Sequence, residues 1–160
     1  MAINSLPMTE VAGLIQELRA VHAPLTRQQY NALAEKLGWH TVSESAKSLV
    51  VETASTAGGR IHVQLDGDMI RNIAISISTS TDRSPEAAEA TTDLYQQATA
   101  TASEALGTAA DGQHGGDKPH TWWSLPHAAI DLSRWGYAVV LTWATPTDHA
   151  GMLESIGAKQ

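Results

Sequence analysis

Apolar residues recur at helical spacing near the start of the chain, and this pattern predicts two helices. The first begins near Thr9 and ends before Pro24, which cannot continue it. Its apolar stripe consists of Val11, Leu14, Ile15 and Leu18. The second begins at Thr26, which with Gln29 has the spacing of a capping box, and ends at Gly38. We expect the two helices to pair as a helical hairpin.

The pattern changes to that of β-strands after residue 39. Residues 49–51 form a short apolar run, residues 56–59 predict a turn, and residues 61–65 alternate apolar and polar side chains. Asp66 and Gly67 then predict a hairpin turn into a strand over residues 68–79. One face of that strand carries Ile73, Ile75 and Ile77. These three strands therefore predict an antiparallel meander with one buried face.

A third, longer helix is predicted from Ser84 to Gly107. Ser84 is a suitable N-cap, Pro85 fits the first helical position, and Gly107 ends the helix. Two further strands follow over residues 121–132 and 137–145, joined by a tight connection at residues 133–136. A short helix is predicted over residues 148–156.

The order of elements predicts the fold class. It is α-α-β-β-β-α-β-β-short α, which indicates an α+β fold with an antiparallel sheet of about five strands. We expect the helices to pack on one face of this sheet. At 160 residues the chain has the length of one domain, which we place over residues 1–160. Residues 108–120 are expected to form a glycine-rich polar loop within it.

Composition excludes several kinds of protein. The chain has no cysteine, so disulfides, thiolate metal sites and thiol nucleophiles are absent. The first 18 residues lack the basic start and apolar run of a secretory signal, and no stretch approaches the roughly 18 apolar residues of a membrane span. We therefore expect a cytoplasmic protein with no membrane partner.

The net charge of −7 is concentrated in one part of the chain. Six acids and no lysine or arginine lie between Ser84 and Asp117: Glu86, Glu89, Asp93, Glu104, Asp111 and Asp117. Helical projection places Glu86, Glu89 and Asp93 on one face of the third helix, opposite its apolar side. Such a surface attracts basic proteins and repels phosphate, so nucleic acid is not an expected partner.

The loop over residues 108–120 contains the strongest candidate for metal binding. Asp111, His114, Asp117 and His120 follow one another at intervals of three residues. Zinc accepts such nitrogen and oxygen ligands, but a glycine-rich loop supplies neither a rigid ligand nor a second shell. We therefore predict no metal and no cofactor, and a solvated loop instead.

No motif of a known catalytic class is present in the sequence. The chain has no GxSxG elbow, no P-loop and no dinucleotide fingerprint. The pairs Gly58–Gly59 and Gly115–Gly116 are explained as turns. This favours a protein that is not an enzyme.

Five tryptophans supply most of the aromatic volume, since phenylalanine is absent. Trp39 and Trp143 are predicted to lie in the core. Trp122 and Trp123 occupy successive strand positions, so their side chains point to opposite faces of the sheet. At least one of them is then either exposed, as a possible binding anchor, or covered by a helix.

The element order, with the segments LGWHTV and IDLSRWGYAVVLTW, resembles small immunity proteins of actinobacterial polymorphic-toxin systems. The layout is also similar to that of type III secretion chaperone-like domains. The first resemblance implies a non-enzymatic protein that binds and neutralises a cognate toxin domain. It transfers no active-site residue to this chain.

We expect a partner-binding surface on the acidic helix and the adjoining loop. Its members are Glu86, Glu89, Asp93, Asp111, His114, Asp117, Trp122 and Trp123. Two alternatives stay open: a secretion-associated chaperone or adaptor that binds an extended peptide, and a small enzyme or ligand-binding domain that uses the His/Asp loop. The oligomeric state and the identity of the partner are not predicted.

Overall fold

The structure, a computed structural model, describes residues 3–53 and 60–158. It is an α+β protein with ten strands and four helices in these ranges. The helices are α1 Met8–Arg19, α2 Arg27–Leu37, α3 Pro85–Leu106 and α4 Pro146–Ser155. The strands are β1 Ile3–Ser5, β2 Leu25–Thr26, β3 His40–Glu44, β4 Ser48–Glu52, β5 Ile61–Asp66, β6 Met69–Ser80, β7 Gly112–His114, β8 His120–Ser124, β9 Ala129–Trp135 and β10 Ala138–Ala144.

All described strands belong to one antiparallel sheet in the order β3-β4-β5-β6-β10-β9-β8-β7. Strand β6 is the longest, with 12 residues, and lies between β5 and β10. The short strands β1 and β2 pair with opposite ends of β6. The sheet is therefore centred on β6, and residues far apart in sequence become neighbours across β6, β10, β9 and β8.

One face of the sheet is apolar and is covered by α1 and α3. The alternation in β5 buries Ile61, Val63 and Leu65, and the facing side chains of β6 and β10 are equally buried. Helix α1 packs mainly against α3, and α3 packs on β9, β10 and β6. The main core therefore lies between these two helices and the sheet.

Local signals in the sequence place most element boundaries correctly. Thr26 and Gln29 form both hydrogen bonds of the predicted capping box, and Ser84 caps α3 by accepting from the N–H of Ala87. Gly38 and Gly107 end their helices with φ of 71° at each. The β5–β6 turn contains Gly67, as predicted. The turn predicted at residues 56–59 lies outside the described residues.

The prediction of about five strands was wrong. The predicted strand over residues 121–132 is two strands, β8 and β9, because the chain reverses at residues 125–128, where the Leu125 N–H donates to the carbonyl of Ala128. The turn contains Pro126, a residue that interrupts strands, and the prediction overlooked this signal. Strands β1, β2 and β7 have three residues or fewer, too short for a periodic pattern.

The loop predicted over residues 108–120 is partly a strand. Strand β7 pairs with β8, with Gly112 opposite Trp122 and His114 opposite His120. A side chain at Gly112 would collide with the indole of Trp122, so only glycine allows this close pairing. The loop that remains consists of residues 108–111 and the hairpin turn over residues 115–119.

The predicted placement of all helices on one face was also wrong. Helix α4 lies on the second face of the sheet, where its His149 bonds to Asp131 of β9. The helical hairpin was not found either, since β2 separates α1 from α2 and α2 packs against β2 and β6. Among the described residues, no helix combines the length and apolar character needed to cross a membrane.

Candidate functional site

The second face of the sheet contains a cavity of about 890 Å³. Its floor consists of side chains of β5, β6, β10, β9 and β8 that point away from α1 and α3, and α4 forms one wall. The residues of the floor include His62, Gln64, Asn72, Ala74, Ser76, His120, Ser133, Val140 and Thr142. The wall contributes Thr147, Asp148, Gly151, Met152 and Ser155. Cavities of this size are typical of ligand sites.

A buried carboxylate joins two histidines beside this cavity. Asp131 Oδ1 lies 2.9 Å from Nδ1 of His120, and Asp131 Oδ2 lies 3.0 Å from Nε2 of His149. The side chain of Asp131 is 1% exposed and that of His120 is 1% exposed. Such a group is costly to bury unless its members satisfy one another, as the two oxygens of Asp131 do here.

Strand register and helix capping bring these three residues together. His120 is opposite Ser133 and Trp122 is opposite Asp131, so His120 and Asp131 are diagonal neighbours on one face. Thr145 caps α4 by accepting from the N–H of Asp148, which sets His149 in the first turn of the helix. The first turn of α4 therefore positions His149 above β9.

The carboxylate also fixes the state of the His120 ring. An ionised carboxylate only accepts hydrogen bonds, so Nδ1 of His120 carries the proton that it shares with Asp131. The other ring nitrogen, Nε2, is buried and has no hydrogen-bond partner within the described residues. His120 is one of the residues that line the cavity, whereas its Nε2 atom is itself enclosed.

A second polar group lies at the opposite side of the floor. Asn72 Nδ2 donates to Oδ2 of Asp148 at 2.8 Å and to Oε1 of Gln64 at 3.0 Å. Because Asp148 can only accept, the amide of Asn72 is oriented with Oδ1 away from it. The Asn72 Oδ1 and Gln64 Nε2 atoms make no hydrogen bond in the described part of the chain. They form a free acceptor and a free donor side by side.

Arg71 holds Asp148 at the rim of the cavity. Its Nε and Nη2 atoms lie 3.0 Å and 2.7 Å from Oδ1 of Asp148. The Arg71 side chain is 51% exposed, so this ion pair contributes little to stability. Its role is geometric, since it fixes the carboxylate that orients Asn72.

Trp135 is the large exposed aromatic residue of the cavity. It is 44% exposed, and its ring is perpendicular to that of His120 at a centroid distance of 6.0 Å. The indole Nε1 donates to Oγ of Ser133 at 2.7 Å, and Nζ of Lys118 lies 4.5 Å from the ring centroid. The exposed tryptophan among the described residues is therefore Trp135 and not Trp122 or Trp123.

Both Trp122 and Trp123 are buried. Trp123 is 0% exposed on the side of α3, and its Nε1 donates to the carbonyl of Thr108. Trp122 is 7% exposed on the side of α4, where its ring lies 5.9 Å from that of His149. The alternatives for these two residues were exposure and coverage by a helix. Coverage is confirmed for both Trp122 and Trp123, because helices cover both faces of β8.

The acidic residues of the predicted surface are placed as follows. Glu86, Glu89 and Asp93 are exposed on α3, and Asp117 is exposed in the β7–β8 turn. His114, on β7, is half-buried. The start of α3 and the β7–β8 turn lie at the same end of the sheet, because the β9–β10 connection bonds to Arg83 and to Pro119.

Asp111 lies apart from this end of the sheet. Its carboxylate accepts from the N–H of Ser124, and its own N–H donates to the carbonyl of Trp122. The candidate metal ligand His120 is likewise engaged elsewhere, with Asp131. In the described ranges, no group of three or more histidine, cysteine, aspartate or glutamate side chains is placed to hold a metal ion.

Sequence reasoning missed Asp131, His149, Asn72 and Gln64 as site residues. One signal was available for Asp131. It is a charged residue between Ile130 and Leu132, in a strand whose other residues are mostly uncharged. The partners of Asp131 could not be read from the sequence. They lie 11 and 18 positions away and meet it only through strand pairing and the turn into α4.

The fold and the site together define a class: an α+β protein with a large antiparallel sheet. One face of the sheet is apolar and covered by two helices, and the other face contains a cavity. The chain belongs to the family of unknown function DUF6301, whose model matches residues 9–145. No curated protein matches the chain, and no solved structure does.

Proposed function

We propose that this protein is a non-enzymatic binding module that takes an extended segment of a partner protein into the cavity. The observation that carries the proposal is a cavity whose floor crosses the sheet from β8 to β5 and carries the unused amide atoms of Asn72 and Gln64. Strands β8 and β5 are four strand spacings apart, which corresponds to about 19 Å. An extended segment of about six residues covers that length.

The chemistry of the floor suits a peptide. The free acceptor of Asn72 and the free donor of Gln64 complement the N–H and C=O of a peptide bond. The lining also contains apolar side chains, among them Ala74, Val140 and Met152. Apolar side chains of the bound segment have contacts there, while its main chain is held by the amides.

The geometry of His120 does not favour a hydrolase. The pair His120–Asp131 corresponds to two members of a Ser-His-Asp relay, but such a relay requires a hydroxyl bonded to the free ring nitrogen. Ser133, directly opposite His120, uses its Oγ to accept from Trp135, and Nε2 of His120 has no partner within the described residues. The site is therefore better suited to holding a ligand than to activating a nucleophile.

Selection from a random decapeptide display library tests the proposal. Peptides selected on the wild-type protein are expected to bind Asn72→Ala at least about tenfold more weakly, because the variant lacks the Oδ1 acceptor for an N–H of the segment and no longer orients the amide of Gln64. Asn31→Ala is the matched control, since Asn31 is an exposed amide on α2 that also makes a side-chain hydrogen bond. Equal affinity for all three proteins, or failure to select any peptide, contradicts the proposal.

A finer proposal concerns the partner. Under it, this protein is an immunity protein that neutralises a basic toxin domain, and the acidic surface of α3 and the β7–β8 turn makes the first contact. The supporting observation is that the six acids between Ser84 and Asp117 form no ion pair within residues 3–53 and 60–158. Unpaired charge of one sign steers association with an oppositely charged protein. Under this proposal the contact surface excludes Trp122 and Trp123, which are buried.

A further inference from the structure

Helix α4 contains a glycine in its interior, on the side that lines the cavity. This residue, Gly151, is exposed and belongs to the cavity wall. An interior glycine destabilises a helix relative to alanine, because glycine loses more backbone freedom on folding. A Cβ atom added at Gly151 would meet nothing within 4 Å, and the φ angle lies outside the left-handed range. Neither a close contact nor the backbone conformation therefore requires glycine at this position.

The missing side chain at Gly151 leaves space in the wall of the cavity. Three other residues of α4 surround this space, and each of them has a side chain that lines the cavity: Asp148, Met152 and Ser155. Residues three and four positions apart are adjacent on a helix surface, so Asp148 and Ser155 lie on either side of Gly151. We call the gap between these side chains the Gly151 notch.

The Gly151 notch lies about one helical turn from the amides that hold the segment in the proposed function. Asp148 accepts from Nδ2 of Asn72 at 2.8 Å, and Gly151 follows Asp148 on the same side of α4. Asn72 is 8% exposed, and its Oδ1 makes no hydrogen bond in the described part of the chain. A segment whose main chain bonds to Asn72 therefore has a neighbouring side chain within reach of the notch.

The surroundings of the Gly151 notch favour an uncharged aromatic side chain. Of its three neighbours only Asp148 is charged, and Arg71 already pairs with it, with 2.7 Å between Nη2 and Oδ1. A charged side chain in the notch would lose water without gaining a free partner among these neighbours. The backbone at Gly151 allows a flat ring to approach closely, and the thioether of Met152 makes favourable contacts with aromatic rings.

We propose that the Gly151 notch is the specificity-determining subsite of the cavity and that it takes an aromatic side chain of the bound segment. This inference rests on the proposed function, since it names which side chain of the segment the cavity selects. The ring lies against the backbone of α4 at Gly151 and contacts Met152. The main-chain amide next to this aromatic residue bonds to Asn72 and Gln64.

Two small probes test this subsite on the intact protein: the N-acetyl methylamides of phenylalanine and alanine. Both carry amide groups that complement Asn72 and Gln64, and only the first carries a ring. The phenylalanine compound is expected to bind at least about tenfold more tightly, because burial of its side chain adds to binding. Its ring should also move the methyl resonance of Met152 upfield, while that of Met8, on α1, stays in place.

Variants locate the effect. Gly151→Leu fills the notch, so it should abolish the preference for phenylalanine over alanine. Gly13→Leu is the matched control, because Gly13 is also an exposed glycine inside a helix with nothing within 4 Å of an added Cβ atom. Both variants should raise the urea midpoint of unfolding, so a loss of binding does not come from unfolding. Equal affinity of the wild type for the two probes, or the same preference in both variants, overturns the inference.

The outcome separates this inference from the proposed function. Display-selected peptides that lose affinity with Asn72→Ala but bind Gly151→Leu as tightly as the wild type overturn the inference and leave the peptide-binding function in place. Selected peptides that are affected by neither variant overturn both. Selected peptides that share an aromatic residue, and that lose affinity with Asn72→Ala and Gly151→Leu but not with Gly13→Leu, support both.

Discussion

At the scale of single residues, the structure contains two buried polar atoms without a partner in the described ranges, and they differ in meaning. Nε2 of His120 lies at a cavity, whereas the hydroxyl of Tyr30 lies in the core, 1% exposed, beside Trp39. The ring of the first lines the cavity, so a bound ligand alters its surroundings. The second is satisfied by nothing on the described chain and only costs stability.

Burial raises the pKa of Tyr30 to about 12, and this predicts a pH dependence of stability. Below pH 10 the phenol is protonated in both the folded and the unfolded chain. Between pH 10 and about 12 the unfolded chain releases the proton and the folded one retains it, so the free energy of unfolding falls by up to about 3 kcal/mol.

Tyr30→Phe tests whether the Tyr30 hydroxyl lacks a partner and whether its raised pKa makes stability depend on pH. At pH 7 the variant should be as stable as the wild type or more stable by up to about 1 kcal/mol, because no hydrogen bond is lost. Its advantage should grow from pH 10 to pH 12, as measured by urea unfolding of both proteins at each pH. A variant that is less stable at pH 7 by more than about 1 kcal/mol would show that the hydroxyl has a partner.

At the scale of elements, strand β7 depends on the absence of a side chain at one position. Gly112 lies against the indole of Trp122, and a Cβ atom there would overlap the ring. We expect Gly112→Ala to destabilise the protein by about 2–3 kcal/mol and to loosen the pairing of β7 with β8. Urea unfolding and amide exchange of residues 112–114 measure the two effects.

Gly115→Ala is the control for this prediction. A Cβ atom at Gly115 meets nothing within 4 Å, and its φ lies outside the left-handed range, so the change should stay within about 0.5 kcal/mol. Similar losses in both variants would mean that glycine is needed in this segment for chain flexibility and not for contact with Trp122.

Elements with strong local signals could be predicted from the sequence, and those fixed by distant contacts could not. The capping box at Thr26 and the alternation over residues 61–65 are local, so α2 and β5 were predicted correctly. Strand β7 is three residues long, and it forms only because β8 offers a partner edge. The same distinction applies to the site: the acidic face of α3 follows from helical spacing, whereas the cavity requires the register of β8, β9, β10, β6 and β5.

At the scale of the whole molecule, the acidic surface and the cavity are distinct features. The acids of α3 lie on the outer side of the helix layer, and the cavity lies on the second face of the sheet. The acidic surface can steer a partner that the cavity then binds, because electrostatic steering acts over about a Debye length, roughly 8–10 Å in physiological salt. Their contributions can be separated by ionic strength.

Charge reversal of Glu86, Glu89 and Asp93 to lysine tests the steering role. With decalysine as the basic probe, we expect the triple variant to bind about tenfold more weakly at low ionic strength and the difference to shrink in high salt. The control reverses Glu10, Glu35 and Glu154, three exposed acids elsewhere, and gives the same net charge. Equal weakening in the two triple variants would show that only net charge matters.

The central claim, that the cavity holds an extended segment of a partner, is tested most directly by intermolecular NOEs from a display-selected peptide to methyl groups of the protein. The account predicts contacts to Ala74, Val140 and Met152, together with an altered ring resonance of His120. Contacts confined to the exposed face of α3 or to the edge strand β3, with no NOE to these three methyl groups, would contradict it.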